Sequence, residues 1–486
     1  MKFSDIAINM AGIQPFQPTS DKPWNKQRVI HLYRRLGFGP TPTQITNALA
    51  ANPQVLVGSL LDGIKARALP TGPSWANFTA TDYENTDNLK FEHREEHYYR
   101  YLTDMIDDGL RSKIVLFWHN HFVTELNVYD CNKYLWNYYW LLNQYCLGNF
   151  KTFVEAIGKS PAMLSYLNGN LNAVGNPNEN YARELMELFT MGENNGYTQF
   201  DVVEVARALT GWRCNMYECN DVTFVNSRFD NNNKTIFGKT GKWGYNEVHN
   251  LIFTERKVQV ARYICGKLYA HFIHKVPDQE FVNALADLFI ASNWELLPVF
   301  KALFRSDHFY NEEFVGAIIK SPIECFVDLV RLSGFNAQAV STRFGTMWYG
   351  SENLGMNIFN PINVAGWPGH HEWINENTLT QRWSYSRELI NTMANETNRE
   401  SLRTLAKNLV GSTINDPELI TRELTYHYLG RALDDDLHAA AVLYFKGDIP
   451  ENYFEDQSWN LDWNEAPFQI ANLLGFLVKL PEFQLS

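Results

Sequence analysis

Cysteine is scarce in this 486-residue chain. The six, Cys131, Cys146, Cys214, Cys219, Cys265 and Cys325, include no C-x-x-C pair, so no disulfide framework or paired-thiol motif organises the sequence. Cys214 and Cys219 are close enough to bridge locally, but reduced, buried thiols are the expectation for all six. No apolar run approaches the length that spans a bilayer. The N-terminal stretch has one lysine and no apolar core of signal-peptide length. The chain therefore reads as soluble and without its own export signal: cytoplasmic, or exported in a mature form or with a partner. Clustered Lys and Arg are also missing, and a formal net charge of −12 argues against a general nucleic-acid or anionic-membrane binder. A nucleophile elbow, a phosphate loop, a dinucleotide fingerprint and a haem-attachment motif are all absent, so no common enzyme class announces itself.

What is present is a large core in prospect: 45% of residues are apolar, with 14 Trp, 24 Tyr and 31 Phe. The densest local signals lie in NPNENYARELMELFTMGENNGYTQFDVVEVARALTGW, residues 176–212. Asn176 as cap, Pro177 at the first position and Glu179 as the returning carboxylate predict a helix running to about Met191, stopped by Gly192. Thr198 and Asp201 repeat the capping-box pattern for a second helix, ended by Gly211 before Trp212. The unit reads as a helical hairpin. At 100° per residue, Tyr181, Ala182, Leu185, Met186, Leu188 and Phe189 share one side of the first helix, and Glu179, Asn180, Arg183, Glu184, Glu187 and Thr190 the other. The plainer reading is a solvated face. The functional reading puts Glu184 and Glu187, one turn apart, in a cluster with Asn180 and Arg183, where carboxylates can ligate a metal or share a proton.

Here the chain resembles a known family. HLYRRLGFGPT, FWHNHF, PAMLSYLNG, NPNENYARELMELFTMG, YTQFDVVEVARALTGW, KTIFG, IKSPIE, NPINVAGWPG, WINENTL and LPEFQLS occur in this order in the bacterial domain-of-unknown-function family eighteen-hundred, and the resemblance runs from about Val29 onward. It implies no established reaction, cofactor or fold. It does imply a tendency to export, from which the missing signal segment departs. It also implies a protein partner from a neighbouring family that resembles the alkaline phosphatase and sulfatase group.

The predicted organisation is an irregular lead over 1–23, a helical region over 24–212, a small insertion of strands and turns over 213–246, and a second helical region over 247–486 packed with the first. The fold class is mainly α, a multi-helix globular fold with a small β-hairpin insertion. Helices are predicted over 25–36, 43–51, 54–68, 89–108, 131–146, 150–157, 161–167, 254–274, 278–292, 296–305, 322–333, 378–396, 399–409, 417–429, 437–445 and 466–480. Residues 70–88 read as a loop. His93 to His97 match the H-x-x-E-H pattern of inverted zinc peptidases, though a solvated helix face explains a charged pattern of this kind equally simply. The run DNNN at 230–233 resembles a calcium loop only superficially, since Lys234 falls where an oxygen ligand is needed.

Two further places carry candidate chemistry. In KIVLFWHNHFVTEL, His119 and His121 would point about 200° apart if the segment is helical and would share a face if it is extended. The segment 353–373, rich in Gly, Pro, Asn and Trp, is long for a passive connection, and its Trp367, His370, His371 and Trp373 suit a pocket wall or a lid. Two functions follow. One is a metal-dependent enzyme, hydrolytic or redox, with Glu184 and Glu187 as ligands or as general acid and base. Arg183 and Asn180 would stand beside them, His119 or His121 would supply a metal ligand or proton carrier, and Trp212, Trp367, His370 and Trp373 would contact substrate. Its cofactor would be a divalent or transition metal ion. The other is a non-catalytic partner or scaffold of the phosphatase-like neighbour, with the Asn, Arg and Glu face as a structural polar network.

Overall fold

Several helices begin where side chains cap them. In the computed structural model, which describes residues 12–86 and 88–486, Asn25 accepts from the Arg28 N–H at the start of the helix Lys26–Leu36. Thr198 and Asp201 close the expected capping box on Gln199–Ala208. Helices Leu296–Arg305 and Pro417–Leu429 take their predicted bounds. The architecture is mainly α, with two antiparallel two-stranded sheets: Trp212–Arg213 against Thr223–Phe224, and Lys234–Ile236 against Lys239–Gly241. Both sheets fall in the predicted insertion or at its edge. Lys234 donates to the Asp230 and Trp243 carbonyls, and Arg207 pairs with Asp230, so that turn is closed by cations of its own chain.

One continuous apolar core runs from Ile13 to Phe483. Within it, the helix Ala466–Leu477 is packed on by Glu376–Met393, Arg399–Val410, Pro417–Leu429 and Asp435–Lys446. Its polar Gln469 is satisfied inside, accepting from the Trp459 indole N–H at 2.9 Å. The helix Leu110–His121 is buried on almost every side. Among the described residues, no helix is long and apolar enough to cross a membrane. The first eleven residues of the expected lead lie outside the described residues, as does Asp87 of the expected loop. From Gln14 the lead pairs with the chain near Ser306, and Phe16 is buried.

Three local expectations are corrected. The first helix of the hairpin spans Asn180–Glu187 and does not begin at Pro177. Ala173 and Asn176 form a bridge, the Asn172 side chain accepts from the Asn178 N–H, and Asn178 accepts from the Asn180 N–H. These turn bonds hold residues 173–179 out of the helix, which is the competition Asn side chains offer to helical pairing. The stretch predicted over 254–274 is continued backward and broken at Arg256, giving Tyr245–Glu255 and Lys257–Phe272. Finally, Cys131 and Cys219 form a disulfide, with their Cα atoms 5.8 Å apart, while Cys214 stays a free, buried thiol. Reduced thiols are the sequence expectation for all six, but the turn after Trp212 carries Cys219 to Cys131 at the start of the helix Asn132–Tyr145.

The disulfide closes a long loop, so its loss chiefly loosens the unfolded chain's constraint. Reduction, or the Cys131→Ser variant, is expected to lower unfolding free energy by about 2–4 kcal/mol in denaturant titrations. Unchanged stability under both treatments would show that the two thiols are not joined.

Candidate functional site

Three consecutive residues at the end of the helix Leu110–His121 do three different things. The His119 ring donates from Nδ1 to the Tyr138 hydroxyl at 2.8 Å and accepts at Nε2 from the Phe359 N–H at 3.0 Å. Tyr138 in turn donates to the Phe122 carbonyl. Both ring nitrogens are therefore engaged, and burial lowers His119 to about 3, which keeps it neutral. Asn120 accepts from the Trp367 N–H at 2.7 Å and donates to the Trp367 carbonyl at 3.4 Å. His121 donates from Nε2 to the Phe189 carbonyl at 3.1 Å, which leaves Nδ1 bare and without a partner. The segment is helical, and the two histidines diverge to different partners.

His119 and Asn120 thus clasp the segment 354–369 at two points. The clasp holds unusual backbone: Phe359, Gly366, Gly369 and His370 all have positive φ. At Gly366 a Cβ would come within 2.2 Å of the Asn120 side-chain oxygen. Non-glycine residues held in this region cluster at functional sites, because the surroundings must enforce them.

What the clasp encloses is a cavity of about 370 Å³. The helix Leu110–His121 lines it with Lys113, Phe117, Asn120 and His121, one face by helical spacing. Arg35 enters from Lys26–Leu36, Lys267 and His271 from Lys257–Phe272, and Ser321 and Glu324 from the start of Pro322–Leu332. Trp367, His370 and Trp373 close the remaining side.

The cavity is strongly basic for a buried place. Lys113 contacts Glu324, the single side-chain carboxylate among the lining residues, which also include Ser486 at the end of the sequence. Arg35 spends only Nη2, on the Phe314 carbonyl, and its Nε and Nη1 have no partner. Lys267 has no carboxylate partner among the described residues. The neighbouring Asp328 is already neutralised by Arg34 at 3.1 Å and Lys320 at 2.5 Å. Burial, reinforced by Arg34, pulls Arg35 down to about 9. Burial and then Arg35 pull Lys113 to about 7, against Asp328, and burial alone takes Lys267 to about 8. His121 is pushed well below its usual range by burial and Lys267, and His271 by burial, Lys113, Arg35 and His370. The His271 Nε2, Trp367 Nε1 and Ser321 Oγ atoms are also buried without partners. Unfilled polar groups in such number call for a ligand or ordered water.

A family model described as "Protein of unknown function (DUF1800)" matches residues 31–485, nearly the whole chain. The chain belongs to this family. Among curated proteins and solved structures, none matches it. Several of the segments that carry the resemblance meet at the cavity: HLYRRLGFG supplies Arg35, FWHNHF supplies Asn120 and His121, IKSPIE supplies Ser321 and Glu324, and NPINVAGWPG supplies Trp367. NENYARELMELFT reaches it indirectly, through the Phe189 carbonyl that His121 grips.

The sequence-predicted residues are therefore split. Trp367, His370, Trp373 and His121 line the cavity; Glu184, Glu187, Arg183, Asn180, His119 and Trp212 do not. Arg183 pairs with Glu179 at 3.1 Å and Glu187 at 3.5 Å along the helix surface, and Asn180 is exposed. That is the ordinary i, i+4 ladder of a solvated face. Glu184 is half-buried and raised above its usual value, by burial first and Glu187 second. Among the described residues, no three or more His, Cys, Asp or Glu side chains stand together as a metal site. Trp212 packs on Phe224 and Tyr245. His93 stacks on Trp75 and bonds Tyr83, while His97 is buried among Trp75, Trp136, Tyr139 and Phe359, so the H-x-x-E-H helix is aromatic core on that face.

Missed from the sequence were Arg35, Lys113, Lys267 and His271. Their signal was a cation inside an otherwise apolar helix: Lys113 ahead of IVLFW, and Lys267 four residues before His271 in a helix that is core elsewhere. A charged group there is costly unless something compensates it.

Two outcomes follow. Gly366→Ala, forced into positive φ against both the side chain and the backbone carbonyl of Asn120, is expected to cost about 1–3 kcal/mol in chemical unfolding, and Asn120→Ala does not restore it, because the backbone contact and the positive φ remain. Lys267 faces His121 across the cavity and has a folded value below its unfolded one. The unfolded chain therefore holds the proton more tightly, and stability rises with pH from about 8 toward 10.5. In a buffer without multivalent anions, Lys267→Met should stabilise the chain at pH 7 by about 1–2 kcal/mol and flatten that rise. A destabilised variant with an unaltered pH profile would show that Lys267 carries no burial penalty.

Proposed function

We propose that the chain binds a small anionic ligand in the cavity between Arg35, Lys113 and Lys267. The observation that supports this best is the charge balance: three cationic side chains line one cavity with one side-chain carboxylate. Ion pairs in the interior are maintained when partners compensate them, and cations left without partners are strongly destabilising. A ligand carboxylate, phosphate or sulfate would supply the missing charge. His121 supplies the opposite polarity. With its Nε2 proton committed to the Phe189 carbonyl, its bare Nδ1 can accept a hydrogen bond or a proton from the ligand. The reading differs from a carboxylate-centred metal site in its sign: it selects anions, not cations.

Isothermal titration with inorganic phosphate and with sulfate, in low-chloride buffer at pH 7, should give saturable binding at one site. Because bound anion favours protonated Lys113 and Lys267, affinity should fall between pH 7 and pH 9. Lys267→Met should weaken binding at least about tenfold, the loss of one charge-assisted contact. Absence of saturable heat with either anion, or equal affinity in the variant, would overturn the proposal.

A further inference from the structure

The cavity is larger than an inorganic anion needs, and its lining joins cationic side chains to aromatic and aliphatic ones. Its 370 Å³ has room for about a dozen waters, whereas free phosphate has only five heavy atoms. A ligand that filled only the cationic end would leave Leu116, Phe117, Met356, Trp367 and Trp373 facing empty or wetted space. Voids against apolar walls forfeit dispersion contacts. Pockets of this volume with apolar walls and a few convergent polar groups ordinarily hold most of a small organic molecule.

We propose that the ligand is a phosphate monoester, its head group among Arg35, Lys113 and Lys267 and its apolar, flat body against Phe117 and the Trp367–Trp373 wall. This rests on the anion-binding reading and narrows it. Counting side chains alone, three cations set against Glu324 leave two positive charges to be met. A phosphomonoester carries about −1.5 to −2 near neutral pH and three acceptor oxygens, which meets both. A carboxylate or a sulfate monoester carries a single charge and leaves one cation uncompensated. The cations among the lining residues are of the kind phosphoryl oxygens take: the Arg35 guanidinium and the ammonium groups of Lys113 and Lys267. Asp328, which would otherwise cancel part of this charge, is consumed by Arg34 and Lys320. The aromatic wall is fixed in place before the ligand arrives, since Asn120 holds the Trp367 backbone in both directions. Such preorganisation keeps the ordering cost of binding low.

The test is a set of calorimetric titrations of the full chain at pH 7.5 with inorganic phosphate, phenyl phosphate, phenyl sulfate and benzoate. Phenyl phosphate should bind at least tenfold tighter than each of the other three. Trp373→Leu should weaken phenyl phosphate severalfold and leave inorganic phosphate unchanged; Phe117→Leu gives a second reading of the same wall if the first variant is unstable. Should phenyl phosphate bind no tighter than inorganic phosphate, the apolar body is wrong. Equal affinity for phenyl sulfate would overturn the dianionic head group. In both of those cases binding of inorganic phosphate still upholds the anion site itself, whereas failure of all four ligands overturns both readings.

Discussion

The structure around the cavity depends on the hold that the helix Leu110–His121 keeps on the segment 354–369. His119 pins Phe359 and Asn120 pins Trp367, in each case from a side chain to backbone groups far away in sequence. Such a bond is strong because it is buried and because the donor would otherwise be orphaned. It also lets an irregular segment lie across the mouth of the core without a helix or strand of its own. The same turn then presents His121 in one tautomer, set by the Phe189 carbonyl of the central hairpin. Helix end, loop and hairpin are thereby tied into one assembly with the cavity at its centre.

That assembly is arranged around electrostatic imbalance. Arg34 and Arg35 are adjacent and leave the helix in different directions. Arg34 reaches Asp328 and the carbonyls of Tyr428 and Leu429, and is fully satisfied. Arg35 reaches one carbonyl, and its other two nitrogens are buried without a partner. The first arginine is therefore a structural tie: a Cβ added at Gly39 would come within 2.0 Å of Asp328, so the glycine makes room for the carboxylate. The second carries an unmet cost. A fold that satisfies one buried guanidinium completely and its neighbour only in part has not simply failed to find partners. Stability given up at a site is commonly stability exchanged for function.

The helical architecture was legible because it rests on local signals: caps at Asn25 and Thr198, periodic apolar faces, and the Gly and Asn turns of the insertion. The location of the site was legible only in pieces. Trp367, His370 and Trp373 stood out in a loop too long to be passive, and His121 in a run too apolar to be solvated. Glu184 and Glu187 do not line the cavity that His121 lines, and a row of ionisable residues on a helix looks alike in sequence whether it faces solvent or a pocket. Arg183 pairs with Glu179 and Glu187 along the helix surface. Arg35, Lys113 and Lys267 come from three helices separated by scores of residues, and only packing brings them together. No window of sequence contains that juxtaposition, and the Cys131–Cys219 disulfide escaped for the same reason.

The contrast between the cavity and the whole chain constrains how a ligand would arrive. The net charge of −12 repels anions at long range, and that repulsion is screened beyond about 8–10 Å at physiological salt. Inside the cavity the balance reverses: low-dielectric walls strengthen each cation's pull and bulk ions screen it little. Association is then not steered by the protein's overall field, and selectivity must come from the final contacts. Those contacts pair cations with an aromatic wall, so charge alone does not satisfy them. An inorganic ion that enters meets the charge and leaves the wall bare, whereas an apolar molecule meets the wall and leaves the cations exposed to one another. Only a ligand that joins the two removes both penalties at once, and this coupling is what gives an otherwise unfavourable cluster of buried cations a physical reason to persist.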